Sequence, residues 1–77
     1  MKQEEQIKQI IEEQLHVKVR GKYEELSDMG ADSLDIIELA DKLEEAFGIK
    51  IKDEDLSTDL TVGDVIKLIE EGKYGKE

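Results

Sequence analysis

The sequence of 77 residues has no cysteine and a single histidine, His16. The first absence excludes disulfides and thiolate metal sites, so nothing covalent staples the fold and the protein has no thiol of its own. Any sulfur chemistry must be borrowed. The second leaves Ser33 without a base partner for a nucleophilic dyad unless a loop brings His16 to it, and His16 is read instead as a helix-end or surface residue. No apolar run is long enough to span a bilayer, and Met1 to Gln14 alternates charge with isoleucine where a signal peptide would be continuously apolar. The expectation is a cytoplasmic protein with no stable membrane insertion.

Basic residues are also scarce, 11 Lys and Arg against 21 Asp and Glu, for a formal charge of −10. Nucleic acid and anionic membrane surfaces would repel such a chain, so basic protein surfaces are its natural counterpart. The charge is uneven: residues 32 to 55 hold nine acids against three lysines, a net of −6. Within that stretch Asp53-Glu54-Asp55 lacks the spacing, central glycine and terminal glutamate of an EF-hand, so no specific metal site is expected. A chain this short forms one domain, residues 1 to 77, with a thin core and room for one site rather than an enclosed active site. Its 38% hydrophobic content, set at helical spacing, favours a folded chain over a disordered acidic one.

Ile7, Ile10, Ile11 and Leu15 form one apolar stripe and predict a first helix over Gln3 to His16. Val17 to Met29 has no sustained period, contains Gly21, and reads as a long loop pinned by Leu26 and Met29. A second helix begins at Asp32 or Ser33 and runs to Phe47, with Gly48 as its stop. Its expected core face is Ile36, Leu39, Ala40, Leu43, Ala46 and Phe47. Asp35, Glu38, Asp41, Glu44 and Glu45 occupy the remaining surface, where Leu34 and Ile37 are stranded among acids. Ile49 and Ile51 dock an extended linker, Asp53 to Thr58 forms a short helical turn, and Thr61 with Asp64 makes a capping box before a last helix of Val62, Val65, Ile66 and Ile69 ending near Gly72. The predicted fold is all-α, a small four-helix bundle with a long loop between helices 1 and 2 and a short third helix.

One stretch invites two readings. In Gly30-Ala31-Asp32-Ser33-Leu34-Asp35, an aspartate or the serine can cap the helix and Asp35 can complement its dipole, which needs no function at all. The helix behind it, acidic and interrupted by two exposed apolar side chains, is more than a cap requires and describes a docking surface around an accessible hydroxyl.

At these residues the sequence resembles an acyl carrier protein. The likeness runs through GADSLD, Glu38-Leu39, Leu43-Glu44-Glu45, Phe47-Gly48, the Ile51 linker, Asp53-Glu54 and Thr61-Val62, and includes Ile10-Ile11-Glu12-Glu13-Gln14-Leu15 in helix 1. The resemblance implies that Ser33 carries 4′-phosphopantetheine, drawn from coenzyme A, through a phosphodiester, with acyl groups riding as thioesters on the arm's terminal thiol. That thiol is the one the composition lacks, and the protein supplies position and recognition instead of catalysis. The resemblance further implies that Asp32, Asp35, Glu38, Asp41, Glu44 and Glu45 meet basic patches on partner enzymes, with Leu34 and Ile37 as apolar anchors. Ala40, Leu43, Ile51 and Leu56 would line an acyl pocket. The implied partners are a phosphopantetheinyl transferase (holo-ACP synthase), which uses magnesium, and acyltransferase, ketosynthase, reductase and dehydratase enzymes.

The sequence also departs from the family pattern. Asp41 stands where bacterial carriers often have methionine or another apolar residue, Leu56 where a smaller alanine is common, and Lys52 precedes Asp53 where many members have proline. The first loop is a few residues shorter, and Asp59 and Leu60 shift the apolar pattern near the third helix. These changes leave the carrier reading intact and leave open a dedicated pathway beside fatty-acid synthesis. The expected protein is a monomer and not an enzyme. Peptidyl carriage and D-alanyl carriage are lesser alternatives, and an unmodified acidic helical adapter is the rival from another class.

Overall fold

The stripe of Ile7, Ile11 and Leu15 buries one face of the first helix, α1 (Gln3–Leu15), and leaves Glu5 and Glu13 in solvent. The computed structural model describes residues 3–71, and within them the chain forms two further helices, α2 (Ser33–Phe47) and α3 (Val62–Glu71). Single 3-10 turns stand at Ser27–Met29 and Asp53–Asp55. α1 packs against both α2 and α3. It runs antiparallel to α2: Gln14 near its C-terminus donates to Glu38 near the start of α2, while Ile10 shares a surface groove with Lys42, Glu45 and Ala46 farther along.

All-helical architecture agrees with expectation, but the described residues contain three α-helices and not four. The predicted short third helix is one 3-10 turn, Asp53–Asp55, closed by the Asp55 amide donating to the Lys52 carbonyl at 2.9 Å. Three residues complete one turn and no more, which is the usual extent of such a segment. The expected end of the last helix near Gly72 lies outside the described residues. Helix 1 stops at Leu15, one residue earlier than predicted. His16 donates its N–H to the Glu12 carbonyl at 2.8 Å and then takes a left-handed φ of 61°, which turns the chain out of the helix. This is a helix-end role for the lone histidine.

The long first loop is tied down along its second half. The amides of Leu26 and Ser27 donate to the carbonyls of Leu60 and Thr58, both at 2.9 Å, and those of Val62 and Gly63 donate back to Glu24 and Lys22 at 2.9 and 2.8 Å. Leu26 and Met29 are buried as anticipated, and the Ser27–Met29 turn, which the sequence reading did not foresee, presents Met29 to the core. The predicted capping box at α3 is present in both directions. The Asp64 amide donates to Thr61 Oγ1 at 3.1 Å and the Thr61 amide to Asp64 Oδ2 at 3.0 Å, satisfying two of the free N–H groups of a helix start.

The core joins α1 to Ile36, Leu39 and Leu43 of α2 and to Val62, Val65, Ile66 and Ile69 of α3, with Ile51 and Leu56 closing it from the linker. Ala40 and Phe47 pack at its edge, whereas Ala46, expected in the core, is exposed. Among the described residues no helix is long and apolar enough to cross a membrane.

Candidate functional site

Each residue of GADSLD has a distinct local task. Gly30 follows the Ser27–Met29 turn with φ 91° and donates to the Ser27 carbonyl at 3.1 Å. Open space surrounds its missing Cβ, so the left-handed backbone and not crowding is what calls for glycine. Ala31 is buried and its amide donates to the Leu26 carbonyl at 3.1 Å, which anchors the segment against the loop. Asp32 is the extended residue that starts α2 and accepts the Asp35 amide at 3.0 Å; Asp35 reaches back to accept the Asp32 amide at 3.2 Å. Cap and complement are therefore both aspartates.

Ser33 is the first residue of α2, exposed, and its hydroxyl takes no part in that reciprocal cap. A helix beginning leaves N–H groups and the positive end of the dipole facing outward, which suits an anion carried on the Ser33 oxygen. The two aspartates already use part of that capacity, so a phosphodiester there is tolerated rather than tightly held. No buried polar side chain lacks a partner among the described residues. An anion carried on the exposed Ser33 oxygen would lie at the open surface and need no internal cavity.

Around the hydroxyl, Leu34 is 62% exposed and Ile37 55% exposed, large apolar side chains with no covering in the fold. Asp32, Glu38, Asp41 and Glu45 are exposed on the same helix. The structure thus brings together most of the predicted partner face, and it sorts its acids into two kinds. Asp41 and Glu45 make no intramolecular side-chain bond among the described residues. Glu38 accepts from Gln14 Nε2 at 2.8 Å, and half-buried Glu44 accepts the Ile51 amide through Oε2 at 2.6 Å. Glu44 is therefore a strut between α2 and the linker as well as a member of the acidic stripe. The helical wheel gave no sign of this, because the partner lies on a non-helical segment whose path the sequence did not reveal.

The four residues expected to line an acyl pocket all fall in or against the one hydrophobic core. Leu43 is fully buried, Leu56 and Ile51 are nearly so, and Ala40 packs at the edge. Leu43, Ile51 and Leu56 all belong to the closed core cluster, so a chain entering among them must displace packed side chains. No group of three or more His, Cys, Asp or Glu side chains among the described residues is arranged to hold a metal ion.

The sequence reading missed the surroundings of Ser33 on the loop side. Val17, Lys18 and Arg20 share a groove with Met29 and Gly30, three residues before the serine. The antiparallel register of α1 and α2 brings the start of the loop to the start of α2, and no local periodicity encodes that register.

Residues 5–69 match the family model described as a phosphopantetheine attachment site. The chain is also similar to curated proteins named acyl carrier protein. It is 47% identical to that of Helicobacter pylori over 72 residues, covering 90% of this chain and 92% of the relative. Against that of Helicobacter acinonychis the identity is 49% over 72 residues, with the same 90% and 92% coverage. Against that of Wolinella succinogenes it is 47% over 70 residues, covering 87% and 92%.

Proposed function

The chain belongs to the acyl carrier protein family, with its covalently attached phosphopantetheine, and from that premise we propose that Ser33 is the attachment residue of a monomeric, single-domain shuttle. The observation that carries the assignment is the division of labour at the helix start: Asp32 and Asp35 cap α2, and the exposed Ser33 hydroxyl beside them is left for chemistry. The arm, once bound, supplies the thiol on which acyl groups travel as thioesters. The chain's own residues hold the phosphodiester oxygen at a fixed point, keep it outside the core and orient the partner. The protein is a carrier and not itself a catalyst.

Partners dock on α2. Leu34 and Ile37 supply a small apolar contact, and Asp32, Asp35, Glu38, Asp41 and Glu45 a surrounding acidic field that complements lysines and arginines. Each exposed charge contact is worth about 1 kcal/mol or less, but together they steer encounter and fix orientation. Weak, fast-exchanging contacts suit a protein that must visit a phosphopantetheinyl transferase and then successive acyltransferase, ketosynthase, reductase and dehydratase enzymes. Asp41 narrows the set of synthase partners to those offering a cation, not an apolar pocket, at that point. Ala40, Leu43, Ile51 and Leu56 shelter the acyl chain, with Leu56 limiting the space. The working compartment is the cytoplasm.

The test is to incubate the protein and Ser33→Ala with coenzyme A, magnesium and a broad-specificity phosphopantetheinyl transferase, and to weigh both. Expected is a gain of one phosphopantetheine on the protein and none on the variant. No gain on the protein with any of several transferases would replace the carrier with an unmodified adapter, and a gain on Ser33→Ala would move the site.

A further inference from the structure

We propose that the groove within the first loop, reaching Gly30 just ahead of α2, is a resting site for the pantetheine part of the arm, with Lys18 as the counter-charge to its phosphodiester. The inference rests on Ser33 as the attachment residue. The groove has a volume of about 270 Å³ and is lined by Val17, Lys18, Arg20, Met29 and Gly30 together with the acids Glu24 and Asp28. It is slightly below the range of about 300 to 1,000 Å³ usual for small-molecule sites, which suits part of a slender chain and not a compact ligand. From Gly30 to Ser33 is three residues, at most about 10 Å along the backbone, so the groove lies within reach of a group tethered at the serine.

Charge selects this side of the serine over the other. On the α2 side the arm's phosphodiester faces Asp32, Asp35 and Glu38, whose like charge opposes it. On the loop side the lining holds two cations and two acids. Glu24 is already occupied: Oε1 accepts the Arg20 amide at 2.7 Å and Oε2 lies 3.8 Å from Arg20 Nε. Those contacts hold the loop in shape and partner Arg20. Lys18 is exposed and has no ion-pair partner among the described residues, which leaves its ammonium available to a phosphodiester. Pantetheine itself is uncharged, with two amides and a branched methyl pair. A groove of balanced charge fits it: the exposed Val17 side chain offers apolar contact and the loop backbone offers polar partners. An arm resting there leaves Leu34 and Ile37 uncovered for docking, so storage of the arm and recognition of partners do not compete.

The experiment compares apo and holo protein, the latter verified by mass, by amide chemical shifts and by the rate at which the arm's thiol is alkylated. Expected are holo-dependent shifts at Val17, Lys18, Met29 and Gly30 as well as at residues flanking Ser33. In Lys18→Glu the loop-side shifts should shrink and alkylation should speed up about two- to threefold at low salt, the size of effect that one exposed charge contact gives. Lys18→Arg should restore the slower rate, which a loop merely disturbed by substitution would not do. Shifts confined to residues 32–37, with equal alkylation rates in all three proteins, would overturn the resting site while leaving Ser33 as the attachment residue. Failure of loading, seen in the mass, would overturn the attachment itself.

Discussion

The carboxylate of Asp32 takes up the Asp35 amide at the start of α2, while the Ser33 side chain beside it points into solvent and is outside that cap. Two adjacent small polar residues should therefore respond oppositely to truncation. Asp32→Ala removes half of a reciprocal cap and should cost about 1 kcal/mol in chemical denaturation. Ser33→Ala should fall within about 0.5 kcal/mol of the parent, the usual range for a surface change away from caps and core, while abolishing phosphopantetheine loading. A large loss from Ser33→Ala would mean that the serine supports the helix. The sequence could propose both roles for GADSLD but could not divide them, because Asp and Ser are comparable caps and the choice depends on which residue holds the extended conformation before the helix. In the structure Asp32 holds that extended conformation, φ −115° and ψ −175°, and Ser33 already belongs to the helix.

Among the elements, α2 was legible in bounds and in its exposed anchors, since a 15-residue helix with a glycine stop carries a strong period. The segment after it was not. The linker has only Ile49 and Ile51 to mark it, and at its start it is held to α2 by a side-chain contact, Glu44 Oε2 to the Ile51 amide. Glu44→Ala should cost about 1 to 2 kcal/mol, because it leaves a partly buried N–H without a partner. Glu45→Gln, one position on and exposed, should leave stability unchanged and should slow association with a basic partner enzyme in a way that fades as salt is raised. Equal stability of the two variants in denaturant would show that the strut carries no weight and that Glu44 belongs with the docking acids. Helical periodicity assigns residues to faces, but it cannot tell which acid on a face bends back to serve its own chain.

Over the whole molecule, a charge of −10 on so thin a core sets repulsion among 21 acids against a few partly exposed ion pairs, which among the described residues include Glu4 with Lys8 and Lys22, and Glu24 with Arg20. Exposed pairs contribute at most about 1 kcal/mol each, so screening should relieve more repulsion than it removes attraction, and the melting temperature should rise with sodium chloride or magnesium. An unchanged or falling midpoint would show the pairs to dominate. The same thin core bears on the cargo. Leu43 and Leu56 are both buried in the one core cluster, at 0% and 4% exposure, so an acyl chain held inside must displace packed side chains and cannot simply fill a void. Each methylene that finds room adds about 0.8 kcal/mol of apolar burial, and each that does not strains the packing. Thermal stabilisation of acylated forms should therefore climb over short chains and level off early. In Leu56→Ala the unacylated protein should lose about 2 to 5 kcal/mol, and the plateau should move to longer chains as the vacated space is used. A rise that continues through long chains in the parent protein would mean that Leu56 yields freely and does not set the length of what the arm carries.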